Sequence, residues 1–306
     1  MCGICGLTRR QRVADGDIKS LRAMNHAMVH RGPDGEGEYT GDHVLLAMRR
    51  LSIIDLQGGW QPLYNEDKSI ALVANGEIYN FIELRAMLVD RGHRFRSGSD
   101  CETIVHLYEE YGLEFVQHLR GMFAFALWDA KKNRVILARD RMGEKPLYLF
   151  EQDGCLLFAS EMKALLQSGR VDFELDPGAI CNYFHYDYVP EPHTAIRKVR
   201  KLPAGHMLLV DVEPWKTEER CYWRMEDAPA LSGDPVTLIR EQLESISDII
   251  LRSEVPVGVA LSSGLDSSMI AALAAKKSPG QIHALTIGFA GAGWRDERKG
   301  AGDLAR

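Results

Sequence analysis

Over the first 212 residues, apolar positions switch repeatedly between helical spacing, alternation and short runs, which predicts an α+β fold. Ile18, Leu21, Met24 and Met28 share one helix face in Asp17 to Met28. Ile82, Leu84 and Leu88 do the same in Asn80 to Asp90, before Gly92. A third helix is expected after Ser99-Asp100, with Ile104, Val105, Tyr108 and Tyr111 inward and Gly112 at its end. Ile70 to Ala74 reads as a strand. Turn-rich pieces separate four apolar segments, Met122 to Trp128, Val135 to Arg139, Leu147 to Phe150 and Cys155 to Ser160. Connections that short join antiparallel neighbours, so a meander is predicted.

Periodicity fades over residues 213–233, which predicts a linker between domains at 2–212 and 234–306. Asp234-Pro235 caps the next helix, whose expected buried stripe is Leu238, Ile239, Leu243, Ile246 and Ile250. Val255 to Leu261 reads as a buried parallel strand, Ser262 to Ser268 as a loop and Met269 to Lys277 as a helix. Pro279-Gly280 ends it, and Ile282 to Phe289 completes a βαβ unit. Two strands enclose little core, so this second domain is expected to be truncated.

Composition narrows the function classes. With 37 basic against 43 acidic residues and a net charge of -6, a nucleic-acid partner is disfavoured. The longest apolar run falls far short of the ~20 residues that span a bilayer. No membrane or secretory signal is read, so the chain is expected to be cytoplasmic, with its six cysteines as free thiols. Cys2 and Cys5 form a C-x2-C without a second pair at zinc spacing, so no metal site is read. His26, His30 and His106 read as structural or surface residues.

Cys2 carries the strongest chemical signal. Removal of Met1 would leave a cysteine whose own α-amino group, with an ordinary pKa of about 7.7 to 8.0, can act as base to its thiol. Set against this, Cys2 is simply a small buried hydrophobe. Arg50 could clamp a carboxylate with parallel hydrogen bonds, or be a surface charge. Asn75-Gly76 could supply two donors to an oxyanion, or be a hairpin turn. Asp100 could hold an ammonium, or cap a helix. Taken together, these residues describe a pocket for a zwitterionic amino acid whose far end carries an acyl group.

Several motifs, in order, resemble the glutamine-hydrolysing asparagine synthetases: Met1-Cys-Gly-Ile-Cys-Gly6, His30-Arg-Gly-Pro-Asp34, Arg50-Leu-Ser-Ile-Ile-Asp55, Gln61-Pro62, Asn75-Gly-Glu-Ile-Tyr-Asn80 and Ser97-Gly-Ser-Asp-Cys-Glu102. Gly121-Met-Phe-Ala-Phe-Ala126, Ala138-Arg-Asp140, Lys145-Pro-Leu-Tyr148, Phe158-Ala-Ser-Glu-Met-Lys163 and Leu202-Pro-Ala-Gly205 extend the likeness. It implies an N-terminal-nucleophile αββα sandwich of two antiparallel sheets, followed by the beginning of an α/β parallel-sheet ATP-pyrophosphatase domain. It also implies that Cys2 hydrolyses glutamine to glutamate and ammonia, with Asn75 and Gly76 as the oxyanion hole. Arg50 would bind the α-carboxylate. Asp100, with Leu51, Ser52, Ile53, Ile54 and Glu77, would hold and orient the rest of the substrate.

Ser262 to Ser268 resembles that family's pyrophosphatase loop, Ser-Gly-Gly-x-Asp-Ser. By the resemblance Leu261, Ser262, Ser263, Gly264, Asp266, Ser267 and Ile287 would contact ATP, with Mg2+ screening its charge while aspartate is adenylated to β-aspartyl-AMP. Here Ser263 replaces the first glycine, so its hydroxyl could add a donor or its Cβ could hold phosphate away. The expected partners are glutamine, aspartate and ATP, with no organic cofactor; a homodimer is left open. As given, the chain is expected to hydrolyse glutamine without making asparagine. Two other readings stay open: an amidotransferase acting on a sugar or natural-product carboxylate, and a non-catalytic glutamine-binding regulatory module.

Overall fold

The computed structural model describes residues 1–278, 280, 282–288 and 296–305. It divides into two units, Met1–Ala228 and Pro229–Arg306. The first begins with β1 (Gly3–Arg9), α1 (Asp15–His26), β2 (Gly35–Thr40), β3 (Val44–Arg50), β4 (Leu63–Tyr64) and β5 (Ile70–Ile78). Then come α2 (Phe81–Asp90), α3 (Glu102–Tyr111), β6 (Gly121–Asp129), β7 (Arg134–Arg139), β8 (Tyr148–Gln152) and β9 (Cys155–Ala159). It ends with α4 (Met162–Gln167), α5 (Pro177–Tyr186), β10 (Val199–Lys201), β11 (His206–Asp211) and β12 (Lys216–Cys221).

These strands make two antiparallel sheets, ordered β10-β8-β9-β1-β3-β2 and β12-β11-β7-β6-β5-β4. Alternation along each strand divides its side chains between two cores. In β1, Ile4 enters the core between the sheets, whereas Cys5 and Leu7 pack with Leu21 and Met24 of α1 and Leu165 of α4. In β5, Ala71 and Val73 face the central core, whereas Leu72 and Ala74 pack with Leu84 of α2 and Ile104 of α3. Three cores separate four layers, which is the αββα sandwich that the resemblance implies.

The predicted meander is corrected. β6–β7 and β8–β9 are separate antiparallel hairpins in different sheets. Loop length fixes which strands form a hairpin, but the longer passage from Arg139 to Tyr148 lets the chain change sheets. The expected linker is corrected too, because the first unit continues through β12, which pairs with β11. β12 reads Lys-Thr-Glu-Glu-Arg-Cys and forms a sheet edge with no apolar face to betray it. On α2, Ile82 is half exposed rather than inward.

The second unit contains α6 (Pro235–Ile250), β13 (Val257–Ala260), α7 (Leu265–Lys277), β14 (Ile282–Leu285) and α8 (Arg298–Leu304). β13 and β14 pair in parallel, as a βαβ unit requires. β14 stops at Leu285, and Phe289 lies outside the described residues. The stripe expected to be buried on α6 is not: none of its residues is buried, and Ile239, Ile246 and Ile250 are exposed. Among the described residues, two short strands offer this unit too little apolar surface to cover that face. Among the described residues no helix is long and apolar enough to cross a membrane.

Candidate active site

Pairing of β1 with β3 sets Gly3 opposite Arg49, which brings Cys2 to the pocket that Arg50 lines. The Cys2 Sγ lies 3.4 Å from the Leu51 N–H and 3.5 Å from the Leu51 carbonyl oxygen. Burial pushes the thiol up, against the pull of the Leu51 main chain and of Arg50. Met1 lines the same pocket, and burial, reinforced by the Arg31 and Lys145 cations, lowers its amino group. With Met1 attached, the Cys2 nitrogen is a peptide amide and cannot serve as the base expected from the sequence.

Asn75 and Gly76 lie within β5, paired with Ala124 and Phe123, and so are not a hairpin turn. A Cβ on Gly76 would stand 2.2 Å from the Met122 carbonyl oxygen, so only glycine lets β6 approach this closely. Asn75 is 1% exposed, lines the pocket, and its Nδ2 has no hydrogen-bond partner. Buried amides are nearly always paired, so this donor is held ready for an acceptor that the folded chain itself does not provide.

Arg50 is 4% exposed and is not a surface charge. It donates to the carbonyls of Gly58 at 2.8 Å, Asp55 at 2.6 Å and Ile54 at 3.4 Å, with its guanidinium over Trp60. Three of its five N–H groups therefore shape the Leu51–Gly59 loop, which leaves the Nε–H and one Nη1–H for a further acceptor. Asp100 is buried and accepts the Ile78 N–H at 2.7 Å. Burial raises its pKa and, together with Asp100, that of Glu77. A buried and a half-buried carboxylate that both resist ionisation line this pocket, and a cation bound beside them would favour their charged forms.

Leu51, Ile53 and Ile54 line the same pocket; Ser52 is not among its lining residues, and its N–H donates to Asp34 at 2.8 Å. Gln61 and Lys145 are among the lining residues that had no role assigned from the sequence. Gln61 pairs its side-chain amide with both main-chain groups of Ala74, at 2.6 and 3.2 Å, extending the ladder beside Asn75. Lys145 is buried, with Nζ 2.8 Å from Met122 Sδ and 3.5 Å from Met1 Sδ. Gln61-Pro62 and Lys145-Pro-Leu-Tyr148 were visible as motifs, but nothing beside them marks an inward side chain.

In the second unit the expected loop is partly helix, since α7 begins at Leu265 and takes Asp266 and Ser267 into its first turn. Ser262 and Ser267 hold the turn closed, Oγ to Oγ at 2.7 Å, and Gly264 N–H donates to Ser262 Oγ at 3.1 Å. The Ser263 Cβ faces Gly300 of α8, where an added Cβ would approach to 2.7 Å. Leu261 is buried and donates its N–H to the Leu285 carbonyl oxygen at 2.9 Å, whereas Ile287 is 82% exposed.

The sequence profile described as "Glutamine amidotransferase domain" matches residues 1–223. The chain belongs to the glutamine amidotransferase family. Its last residues, 238–306, match the profile described as "Asparagine synthase". This amidotransferase is 38% identical to "Asparagine synthetase [glutamine-hydrolyzing] 2" of Bacillus subtilis, over 94% of its own length and 40% of the relative's. It is 39% identical to "Asparagine synthetase B [glutamine-hydrolyzing]" of Escherichia coli, over 90% of its length and 45% of the relative's. The chain thus spans less than half the length of these relatives, and its resemblance to the asparagine synthetases is borne out. Among solved structures, the B. subtilis glutamine phosphoribosylpyrophosphate amidotransferase complexed with ADP and GMP superposes with a TM-score of 0.54 at 19% identity. That match covers 93% of this chain and 65% of the other, and it supports the fold.

Proposed function

We propose that the first unit hydrolyses glutamine to glutamate and ammonia, with Cys2 as nucleophile after removal of Met1. The observation that carries the reading is the unpartnered Asn75 Nδ2, buried in the pocket that Cys2 lines. The freed α-amino group takes the thiol proton and the thiolate attacks the side-chain amide carbon. Asn75 Nδ2 and the Gly76 N–H receive the developing oxyanion. Ammonia leaves with the returned proton, and water hydrolyses the thioester to glutamate. Arg50 binds the α-carboxylate, and Asp100 with Glu77 holds the α-ammonium. Since Met1 lines the same pocket, its removal also makes room for substrate.

In the same reading, the second unit begins an ATP-dependent ligase of the cytoplasm that passes the ammonia to aspartate through β-aspartyl-AMP. The turn from β13 into α7 presents main-chain donors and a helix N-terminus to phosphate. Asp266, exposed in the first helical turn, supplies a carboxylate suited to Mg2+ shared with substrate phosphates. That the relatives are named asparagine synthetases favours aspartate over a sugar or natural-product acceptor, and favours catalysis over a binding module. The test measures ammonia and glutamate release by a chain whose Cys2-first N-terminus is verified by mass. Release no greater than that of Cys2→Ala refutes the glutaminase reading.

A further inference from the structure

Among the described residues, Glu66, His93, His106 and Glu109 place one ligand atom each within 4.8 Å of one another. None of them lines the glutamine pocket. They come from three stretches: the turn after β4, the segment after α2, and one face of α3. His93 Nδ1 lies 3.6 Å from both Glu66 Oε1 and Glu109 Oε2, and His106 Nδ1 lies 3.1 Å from Glu109 Oε2 and 3.8 Å from Glu66 Oε2. In a tetrahedral zinc site with bonds of about 2.0 to 2.1 Å, ligand atoms stand about 3.3 Å apart. Taken to one or the other Glu66 oxygen, the separations run from 3.1 to 3.8 Å, around that edge.

We propose that these four side chains form a divalent-metal site with two imidazole and two carboxylate donors, a set suited to Zn2+. Each ligand is held from behind. His93 Nε2 bonds Glu110 Oε1 at 2.9 Å, and Arg91 in turn holds Glu110, the carboxylate–imidazole arrangement that orients a metal-bound histidine. Glu109 gives its other oxygen to Asn65 Nδ2 at 2.8 Å, and the Arg94 N–H donates to Glu66 Oε1 at 2.9 Å. His106 is fully buried and its Nε2 has no hydrogen-bond partner, while Glu102 Oε1 stands 3.8 Å away. A metal on Nδ1 fixes the tautomer that turns this N–H toward Glu102. A bound cation would tie the β4–β5 turn and the segment after α2 to α3, the helix that follows Asp100.

The test strips the full chain with chelator, titrates ZnCl2 by calorimetry, and repeats the titration with CoCl2 while recording the absorption spectrum. One saturable Zn2+ site is expected, weakened about tenfold or more in Glu66→Gln and in His93→Gln, two substitutions that leave the buried His106 in place. The Co2+ spectrum is expected to show four-coordinate d–d bands without thiolate charge transfer, which separates this site from Cys2 and Cys5. MgCl2 should not compete. Absence of saturable uptake by folded wild type, uptake unchanged in both variants, or a thiolate-bearing Co2+ spectrum overturns the proposal. The cluster would then be two imidazole rings held by carboxylates.

Discussion

The Cys2 thiol touches both main-chain groups of Leu51, 3.4 Å from its nitrogen and 3.5 Å from its oxygen. The sulfur is thus fixed against the loop that Arg50 shapes. Cys2→Ala should abolish ammonia release while leaving the fold intact, since only a half-buried thiol with long contacts is lost. The checks are the glutaminase assay and thermal unfolding of the same preparation. Uncleaved Met1 should silence the wild type equally, because the base is then tied up as an amide.

Asn75 gives the sharper prediction, because stability and activity should part company. A buried donor without a partner costs about 1 to 3 kcal/mol, so Asn75→Ala removes a liability along with some packing. Unfolding stability should hold or rise, while kcat falls roughly 100- to 1,000-fold with a smaller change in KM. A parallel loss of stability and activity would show that the amide serves the fold instead.

Gly76→Ala is expected to fail differently. Its Cβ meets the Met122 carbonyl oxygen at 2.2 Å, and main chain inside a sheet cannot move aside cheaply. Overpacking of this kind costs about 1 to 3 kcal/mol or more, and the β5–β6 pair should splay at the pocket. Chemical denaturation measures the loss, and residual activity should fall with it.

Glutamine binding should depend on pH through Asp100 and Glu77. Both are raised by burial, so each supports the free fold most when protonated, and that contribution is lost as pH climbs through the raised values. In the proposed reading, an α-ammonium bound beside the ionised pair restores it. In Cys2→Ala, which cannot consume the ligand, the glutamine-induced rise in Tm should be larger at about pH 8 than at about pH 5, above and near the ordinary carboxylate range. Asp100→Asn should flatten the difference.

Ser263→Gly tests the concern over the serine in the phosphate-type loop. Its Cβ packs toward Gly300 and the loop is closed by Ser262 and Ser267, so nucleotide affinity should change less than twofold, within about 0.4 kcal/mol. Equilibrium dialysis with ATP reads this directly. A large gain in affinity would mean that the side chain does obstruct phosphate.

Much of the site was legible because its residues are poor choices for any other purpose. Asn75-Gly76 inside an apolar run, and a cysteine directly after the initiator, ask for a chemical explanation. Lys145 and Gln61 were not legible, since a polar side chain among turn residues gives no sign that it points inward. The helices α2 and α3 follow from spacing alone, but the sheet to which β8 and β9 belong does not. Local pattern specifies which face of a strand is buried, and only the packing of the whole chain specifies against what.

The pocket draws Arg50, and Cys2 just ahead of β1, from one sheet and Asn75 and Gly76 from the other. Ammonia release is therefore also a gauge of docking between the halves of the sandwich. During refolding it should return only after the central layer has closed. A substitution deep in that layer, such as Ala126→Val, should slow glutamine hydrolysis although Ala126 is not among the residues that line the pocket.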